Sequence, residues 1–346
     1  MPDPRRRPDG GRIGVYYPLQ PRDPRQLAPF ARLVAGGHAD RLWMGQSLNL
    51  DTHQVLAYLL GQGISPPLGV GLHAMPLNHP YQAAVAARSL ARLSGKPLTA
   101  VFGLTTPSFQ AALRGAPYRS PLTAAREYIT SLTELLRGRP LDVRGDYVTA
   151  AVRLDPALED SPRVEVGLGV LQEKMARVAA DTADAALTWM TPLTYVRDTL
   201  LPALGGAEHG PTRLVSVVHI IVRRPGRDLP RAVWHATRNH LNGPHYRQAL
   251  AAAGVDLSGG DIATARELVD RGVVIAGTAE EIATAVRAYW AAGVDEVVLN
   301  PCALVGEGPE GALRDVLEVV ATCRGEVKDQ RREDEWWRRR PSVAEG

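Results

Sequence analysis

The feature that most constrains this chain is an alternation. Short apolar runs of five to nine residues, each bounded by Gly, Pro or polar residues, take turns with longer stretches whose apolar residues recur every three to four positions. The short runs read as buried strands and the longer ones as helices, and strict alternation of the two predicts βα units around a parallel sheet. Eight runs qualify: 12–17, 41–45, 68–73, 98–104, 164–168, 185–190, 214–222 and 296–300. Eight is the number a closed barrel needs. The predicted fold is therefore α/β, a single (β/α)8 TIM barrel.

Helices are expected over Tyr81–Leu93, Ala124–Arg137, Gln172–Ala183 and Glu280–Ala292. Thr278, with Glu281 three residues on, forms a capping-box signal for the last of them. Two connections, Thr105–Pro162 and Arg223–Asp295, exceed what one helix requires, so insertions follow the fourth and seventh strands. Loops that follow barrel strands build the catalytic face. Both insertions thus belong to the functional end.

At 346 residues the chain suits one barrel domain, set at 12–323. Residues 1–11, rich in Pro and Arg, read as a disordered arm, and 324–346 as a charged helix or tail carrying Trp336 and Trp337. No apolar run follows the arm, so neither a signal peptide nor an anchor is expected. Hydrophobic residues at 45% and charged residues at 22% are globular values. The net charge of +3 comes from dispersed arginines, which implies no nucleic-acid partner and no membrane. Two cysteines, Cys302 and Cys323, without CxxC or zinc spacing, leave no disulfide framework and no metal site, and point to a reducing cytoplasm.

Several segments carry a resemblance. Ala39–Gly45 (ADRLWMG) resembles the second-strand block of bacterial luciferase-like oxidoreductases. Leu68–Gly95 resembles their third strand, the His79-Pro80 turn and a helix ending in Leu-Ser-Gly. Tyr128–Gly138, Met175–Trp189 and Gly277–Asn300 resemble the insertion helix, the approach to the sixth strand, and the closing helix with its eighth strand. The matches span almost the whole chain in the right order. Members of this family use FMN or the deazaflavin coenzyme F-420, whose ring carries the hard chemistry.

The resemblance implies a site. It places the cofactor's ring against Gly71, His73 and Ala74, where the deazaflavin branch has a bulge with a non-prolyl cis peptide, here matched to the His73–Ala74 bond. It places the phosphate on backbone amides after the fifth strand, Gly167, Leu168, Gly169, Val170 and Leu171, where glycines allow close approach and a helix N-terminus favours an anion; an ordinary βα turn is the alternative. Tyr17, Thr105 and Trp189 stand at other strand ends.

One departure matters. Where the family has an acidic residue followed by His at the end of the second strand, this chain has Gln46 and Ser47, which hydrogen-bond but do not titrate near neutral pH. His73 is the first substitute for the proton-handling role, against the bland reading of a structural histidine. His219, inside an apolar run, ranks below it. His235, His240 and His245 recur every five residues on different helical faces, unlike metal ligands, and read as surface or substrate-loop residues. Gly69–Ala74 mimics a GxGxxA fingerprint, but no helix opens there, and Cys302 reads as a small buried thiol.

The resemblance thus implies an oxidoreductase transferring hydride with coenzyme F-420 on a small-molecule, natural-product or peptide substrate. An FMN-dependent monooxygenase and a non-catalytic barrel are the alternatives, and a homodimer is compatible with all three.

Overall fold

The computed structural model describes residues 11–155, 160–205, 211–301 and 308–325. The arm before Gly11, Cys302, and the tail with Trp336 and Trp337 lie outside the described residues.

Eleven strands alternate with thirteen helices among these residues. The strands are β1 (Arg12–Tyr16), β2 (Arg41–Met44), β3 (Leu68–Ala74), β4 (Leu98–Gly103), β5 (Leu141–Arg144), β6 (Thr149–Val152), β7 (Val164–Gly169), β8 (Ala185–Trp189), β9 (Arg213–Val222), β10 (Val274–Gly277) and β11 (Glu296–Pro301). The first helices are α1 (Ala28–Ala35), α2 (Thr52–Gly61), α3 (Pro80–Ser94), α4 (Pro107–Arg114), α5 (Pro121–Leu136) and α6 (Glu173–Thr182). Then come the short α7 (Leu193–Tyr195) and α8 (Leu201–Leu204), followed by α9 (Leu229–Leu241), α10 (Pro244–Ala252), α11 (Asp261–Asp270), α12 (Ala279–Ala292) and α13 (Gly308–Arg324).

Eight strands close in the order β1-β2-β3-β4-β7-β8-β9-β11 and back to β1, every pair parallel. All eight expected strands are the barrel strands. Helices wrap the outside because their apolar stripes need cover from the sheet. The expected cap of α12 is present, with the Thr278 hydroxyl and Glu281 carboxylate exchanging hydrogen bonds with each other's backbone.

Both insertions contain strands that the apolar-run reading does not mark. After β4, the hairpin β5–β6 pairs antiparallel. Its turn is anchored by the Glu127 carboxylate of α5, which accepts from the backbone N–H groups of Asp146, Tyr147 and Val148 at 2.8–3.0 Å. After β9, β10 pairs His219–Val222 along the upper half of β9, beyond the part shared with β8. The helices α9, α10 and α11 bury their own core against that ledge, built on Val233, Leu241, Leu250 and Leu268. Each of these strands has only four residues, too few for a periodicity to show.

The amino-terminal mouth of the barrel is closed by paired charges. Fully buried Glu296 accepts from the Trp43 indole at 2.6 Å and faces Arg41 at 3.4 Å and Arg213 at 3.7 Å. Arg213 also donates to Glu165 at 2.7 Å, and Thr99 joins Arg41 to Glu165. Burial raises the Glu165 pKa, but Arg213 and the Thr99 hydroxyl together bring it below the ordinary value. Above this plug the interior is filled by Trp43, Val101, Leu187, Val215, Val217 and Val298.

Candidate active site

At the carboxyl ends of the strands a cavity of about 820 Å³ opens, within the range of small-molecule and cofactor sites. Among the described residues that line it there is no Asp, Glu, Lys, Arg or Cys; the titratable groups are three histidines and four tyrosines.

One wall is formed by β3, β4 and β7. The register of β3 against β4 breaks between Val70 and His73, and this bulge brings Leu72 into the cavity lining. The non-prolyl cis bond lies within it, between Gly71 and Leu72, and not between His73 and Ala74 as the family resemblance implies. The bulge adds one residue to β3 relative to β4, an irregularity that a motif match without a register does not reveal, and the cis bond lies two positions before the matched one. Leu72 rests between Gly103 of β4 and Gly169 of β7. A Cβ on either glycine would lie 2.1 or 2.5 Å from a Leu72 methyl, so a larger residue there would force the Leu72 side chain to move. After β7, Val170, Leu171 and Gln172 lead into α6, whose N-cap Gln172 makes no side-chain capping bond.

The floor between β1 and β4 carries the predicted polar residues. Gln46 Oε1 accepts from His73 Nδ1 at 3.1 Å and from the Ala74 N–H at 3.4 Å, while Gln46 Nε2 donates to the Ser47 carbonyl at 3.0 Å. Ser47 Oγ is engaged by the N–H groups of Asn49 and Leu50 at 3.2 and 3.3 Å, a turn-holding role. Thr105 follows β4 with φ of 64°, a left-handed conformation unusual for a β-branched residue. Buried Gln110 pins it there by donating to the carbonyls of Leu104 and Thr105 at 2.9 and 3.2 Å. The Thr105 and Tyr17 hydroxyls are buried without a partner, and burial pushes Tyr17 up to about 12.

The opposite wall is a continuous array of rings. Tyr16 of β1 meets Trp189 of β8 edge to face at 4.9 Å, and Trp189 meets His219 of β9 at 5.1 Å. From the inserted helices His240 lies 5.6 Å from Trp189 and 5.2 Å from Tyr246, which contacts His245 at 4.5 Å. Asn300 of β11 donates to His219 Nε2 at 3.5 Å. Burial, and then the neighbouring His240, hold His219 at about 3; burial and His245 hold His240 at about 4. These imidazoles are neutral at physiological pH.

Ten predicted site residues therefore line one cavity: Tyr17, Gln46, Ser47, Ala74, Thr105, Leu168, Gly169, Val170, Leu171 and Trp189. Three lie behind it. Gly71 and Gly167 both abut Val101 in the interior. His73 is 3% exposed, stacked on His53 at 4.6 Å, and held at about 3 by burial and that neighbour. The sequence reading missed Tyr16, Leu72, Gln110 and Tyr246, and assigned no site role to Asn300. It left His240 and His245 as surface or substrate-loop residues, and both face the cavity. Their signal was density: three histidines and a tyrosine within a dozen residues of one insertion.

The model of the luciferase-like monooxygenase family matches residues 10–296. The chain belongs to that family. Solved structures share the luciferase-like barrel at low identity. A coenzyme F420-dependent tetrahydromethanopterin reductase from Methanopyrus kandleri is 19% identical, with a TM-score of 0.68 over 89% of this chain and 97% of that one. An F420-dependent secondary alcohol dehydrogenase, bound to an F420-acetone adduct, is 14% identical, with a TM-score of 0.69 over 91% and 99%. An EDTA monooxygenase from Chelativorans is 16% identical, with a TM-score of 0.65 over 90% and 94%. No curated protein sequence matches the chain. Among the described residues, no helix is long and apolar enough to cross a membrane, and no group of three or more His, Cys, Asp or Glu is placed to hold a metal ion.

Proposed function

We propose that this luciferase-like protein is an oxidoreductase that transfers hydride with coenzyme F-420, acting on an uncharged small-molecule or peptide substrate. The observation that carries the reading is the Leu72 shelf, an apolar ledge raised by the β3 bulge and seated against Gly103 and Gly169, with the N-terminus of α6 at its edge. A flat ring has a platform there, and a phosphate has backbone amides beside it. The buried, unpartnered hydroxyls of Tyr17 and Thr105 offer further hydrogen bonds to such a ring. A bound deazaflavin supplies the hydride-carrying carbon, which no lining side chain replaces.

The chain's own residues orient and exclude. Leu72, Ala74 and Thr105 shape the ring's bed; Leu168, Gly169, Val170 and Leu171 receive the phosphate end; Trp189 walls the substrate side. Gly71 and Gly167 act from one layer below by letting β3 and β7 approach Val101. His73 acts through Gln46, orienting its carboxamide, and Gln46 and Ser47 present hydrogen bonds without a titrating relay. The barrel domain spans 12–323 in this reading. The protein works in the cytoplasm as a homodimer, which a sedimentation measurement giving a monomer at micromolar concentration would refute.

A second reading, an FMN-dependent monooxygenase, is favoured by one observation: no Lys or Arg stands among the described lining residues. The amides before α6 suffice for one phosphate, whereas a longer anionic tail finds no cation. Parallel titration of the purified protein with FMN and with coenzyme F-420, followed by absorbance and fluorescence, tests both. Tight binding of the deazaflavin alone supports hydride transfer. Binding of FMN alone replaces it with the oxygenase reading, and binding of neither leaves a non-catalytic barrel.

A further inference from the structure

Trp189 ends β8, His219 lies three residues before the end of β9 and Asn300 is the penultimate residue of β11, three adjacent barrel strands, with Asn300 in register with His219 and Trp189 with Val217, two residues below His219 on the same face. Each carries a buried polar atom without a partner: Trp189 Nε1, His219 Nδ1 and Asn300 Oδ1. Such atoms are uncommon in folded proteins, and three on one wall of one cavity call for a ligand. Their hydrogen-bonding characters follow from the orientation of the Asn300 amide, whose Nδ2 faces His219 Nε2 at 3.5 Å. An indole N–H only donates. The Asn300 amide donates to His219 Nε2, so that nitrogen accepts and Nδ1 carries the proton and donates. Asn300 Oδ1 remains as an acceptor.

We infer that these three residues form a recognition set for a neutral carboxamide, so that the substrate of this cavity is a peptide, lactam or other amide-bearing molecule. The inference rests on reading the cavity as an active site. A carbonyl oxygen has two lone pairs for the two donors, and the adjoining amide N–H meets the acceptor. A ketone or ester lacks the N–H, an ammonium group lacks the acceptor, and a carboxylate finds no cation among the described lining residues. The rings of His240 and Tyr246 close this wall from the insertion, with His240 centred 6.1 Å from His219. A ligand reaches the three atoms by displacing the His240 ring, and the bonds it then makes are shielded from water. In such a setting, losing one partner leaves a buried group unsatisfied.

The test uses the full chain, with and without FMN or coenzyme F-420, and two probes followed by calorimetry: 4-methylpentanamide and methyl 4-methylpentanoate, which share the alkyl group and differ in the amide N–H. The amide is expected to bind about tenfold more tightly than the ester, the size of an unpaired buried acceptor. Asn300→Ala is expected to erase that preference with the circular dichroism of the fold intact. In the native protein, nitrogen NMR of labelled histidine should show the Nδ1–H tautomer of His219, shifted by the amide. Equal affinity for the two probes, no binding of either, or an Nε2–H tautomer overturns the inference. The cofactor titrations separate the two readings. Amide preference without flavin or deazaflavin binding refutes the oxidoreductase and leaves the recognition set standing, and the converse refutes only the recognition set.

Discussion

The two ends of this barrel treat buried polarity in opposite ways. At the amino-terminal end two arginines and two glutamates cancel in charge and are knit together by Thr99 and the Trp43 indole. At the carboxyl-terminal end the polar groups are neutral, and those of Tyr17, Thr105, Trp189, His219 and Asn300 lack partners. The same eight strands supply both sets. At the amino-terminal end each buried charge faces an opposite one, although Arg41 Nε, Arg213 Nε and Nη1 and Glu296 Oε2 make no hydrogen bond; at the carboxyl-terminal end the open groups are neutral and belong to residues that line the cavity.

The comparison breaks most visibly at Glu296. Glu296→Ala strips Arg41, Arg213 and Trp43 of the carboxylate they share. Removing one partner of a buried ion network costs about 3–5 kcal/mol, because the remaining charges stay buried. Urea unfolding should show a loss of that size. A loss under about 1 kcal/mol, the value of a surface pair, would show that the plug is no more than a solvated cluster.

Gly169→Val strikes the other end. The new side chain meets the Leu72 methyl and forces the shelf to move, an overpacking that costs about 1–3 kcal/mol. Binding of either flavin or deazaflavin is expected to be lost while the far-ultraviolet dichroism is unchanged. Normal binding by this variant would show that Leu72 and the turn after β7 are not the cofactor's seat.

These two sites differ in how far the sequence reveals them. The barrel was readable because burial on both faces makes each strand an uninterrupted apolar run, and the run shows in any window of five or six residues. Gly169 and Thr105 were readable through the resemblance and through the rule that strand ends carry the site. Leu72 was not, because a bulge alters which residue faces inward without altering the composition. The Glu296 plug and the His219–Asn300 pair were hidden for a different reason. Their hydrogen bonds join members 48 to 253 positions apart, and only the closure of the barrel makes them neighbours.

Acid sharpens the contrast. His73, His219 and His240 are held neutral at about 3, 3 and 4, chiefly by burial, against 6.5 in the unfolded chain. Below that value the unfolded state binds protons that the folded state refuses, so the stability present above pH 6.5 falls with pH until the folded values are reached. Each group contributes about 1.4 kcal/mol per pH unit inside the window. Between pH 6.5 and 5, His219→Asn should therefore lose about 2 kcal/mol less than the native protein in urea unfolding. Parallel losses in the two proteins would mean that His219 titrates in the fold, and that its surroundings are wetter than the packed rings of Trp189 and His240 imply.

The smallest effect has the opposite sign. Thr105 is held at φ of 64° by the carbonyl bonds to Gln110, with its hydroxyl buried and unpaired. A non-glycine residue in that region costs on the order of 1–3 kcal/mol. Thr105→Gly releases this strain and removes the orphaned hydroxyl, while the added freedom of the unfolded chain returns roughly 0.5–1 kcal/mol of the gain. The variant should exceed the native protein by about 1 kcal/mol in urea unfolding, the middle of these ranges, and bind the cofactor less tightly. Removing one charge from the Glu296 plug, by contrast, leaves its partners buried and uncompensated and destabilises the fold. A residue whose replacement stabilises the fold while weakening binding is kept for the ligand. If Thr105→Gly destabilises instead, the threonine belongs with the plug as a structural group, and the division between the two ends fails at that position.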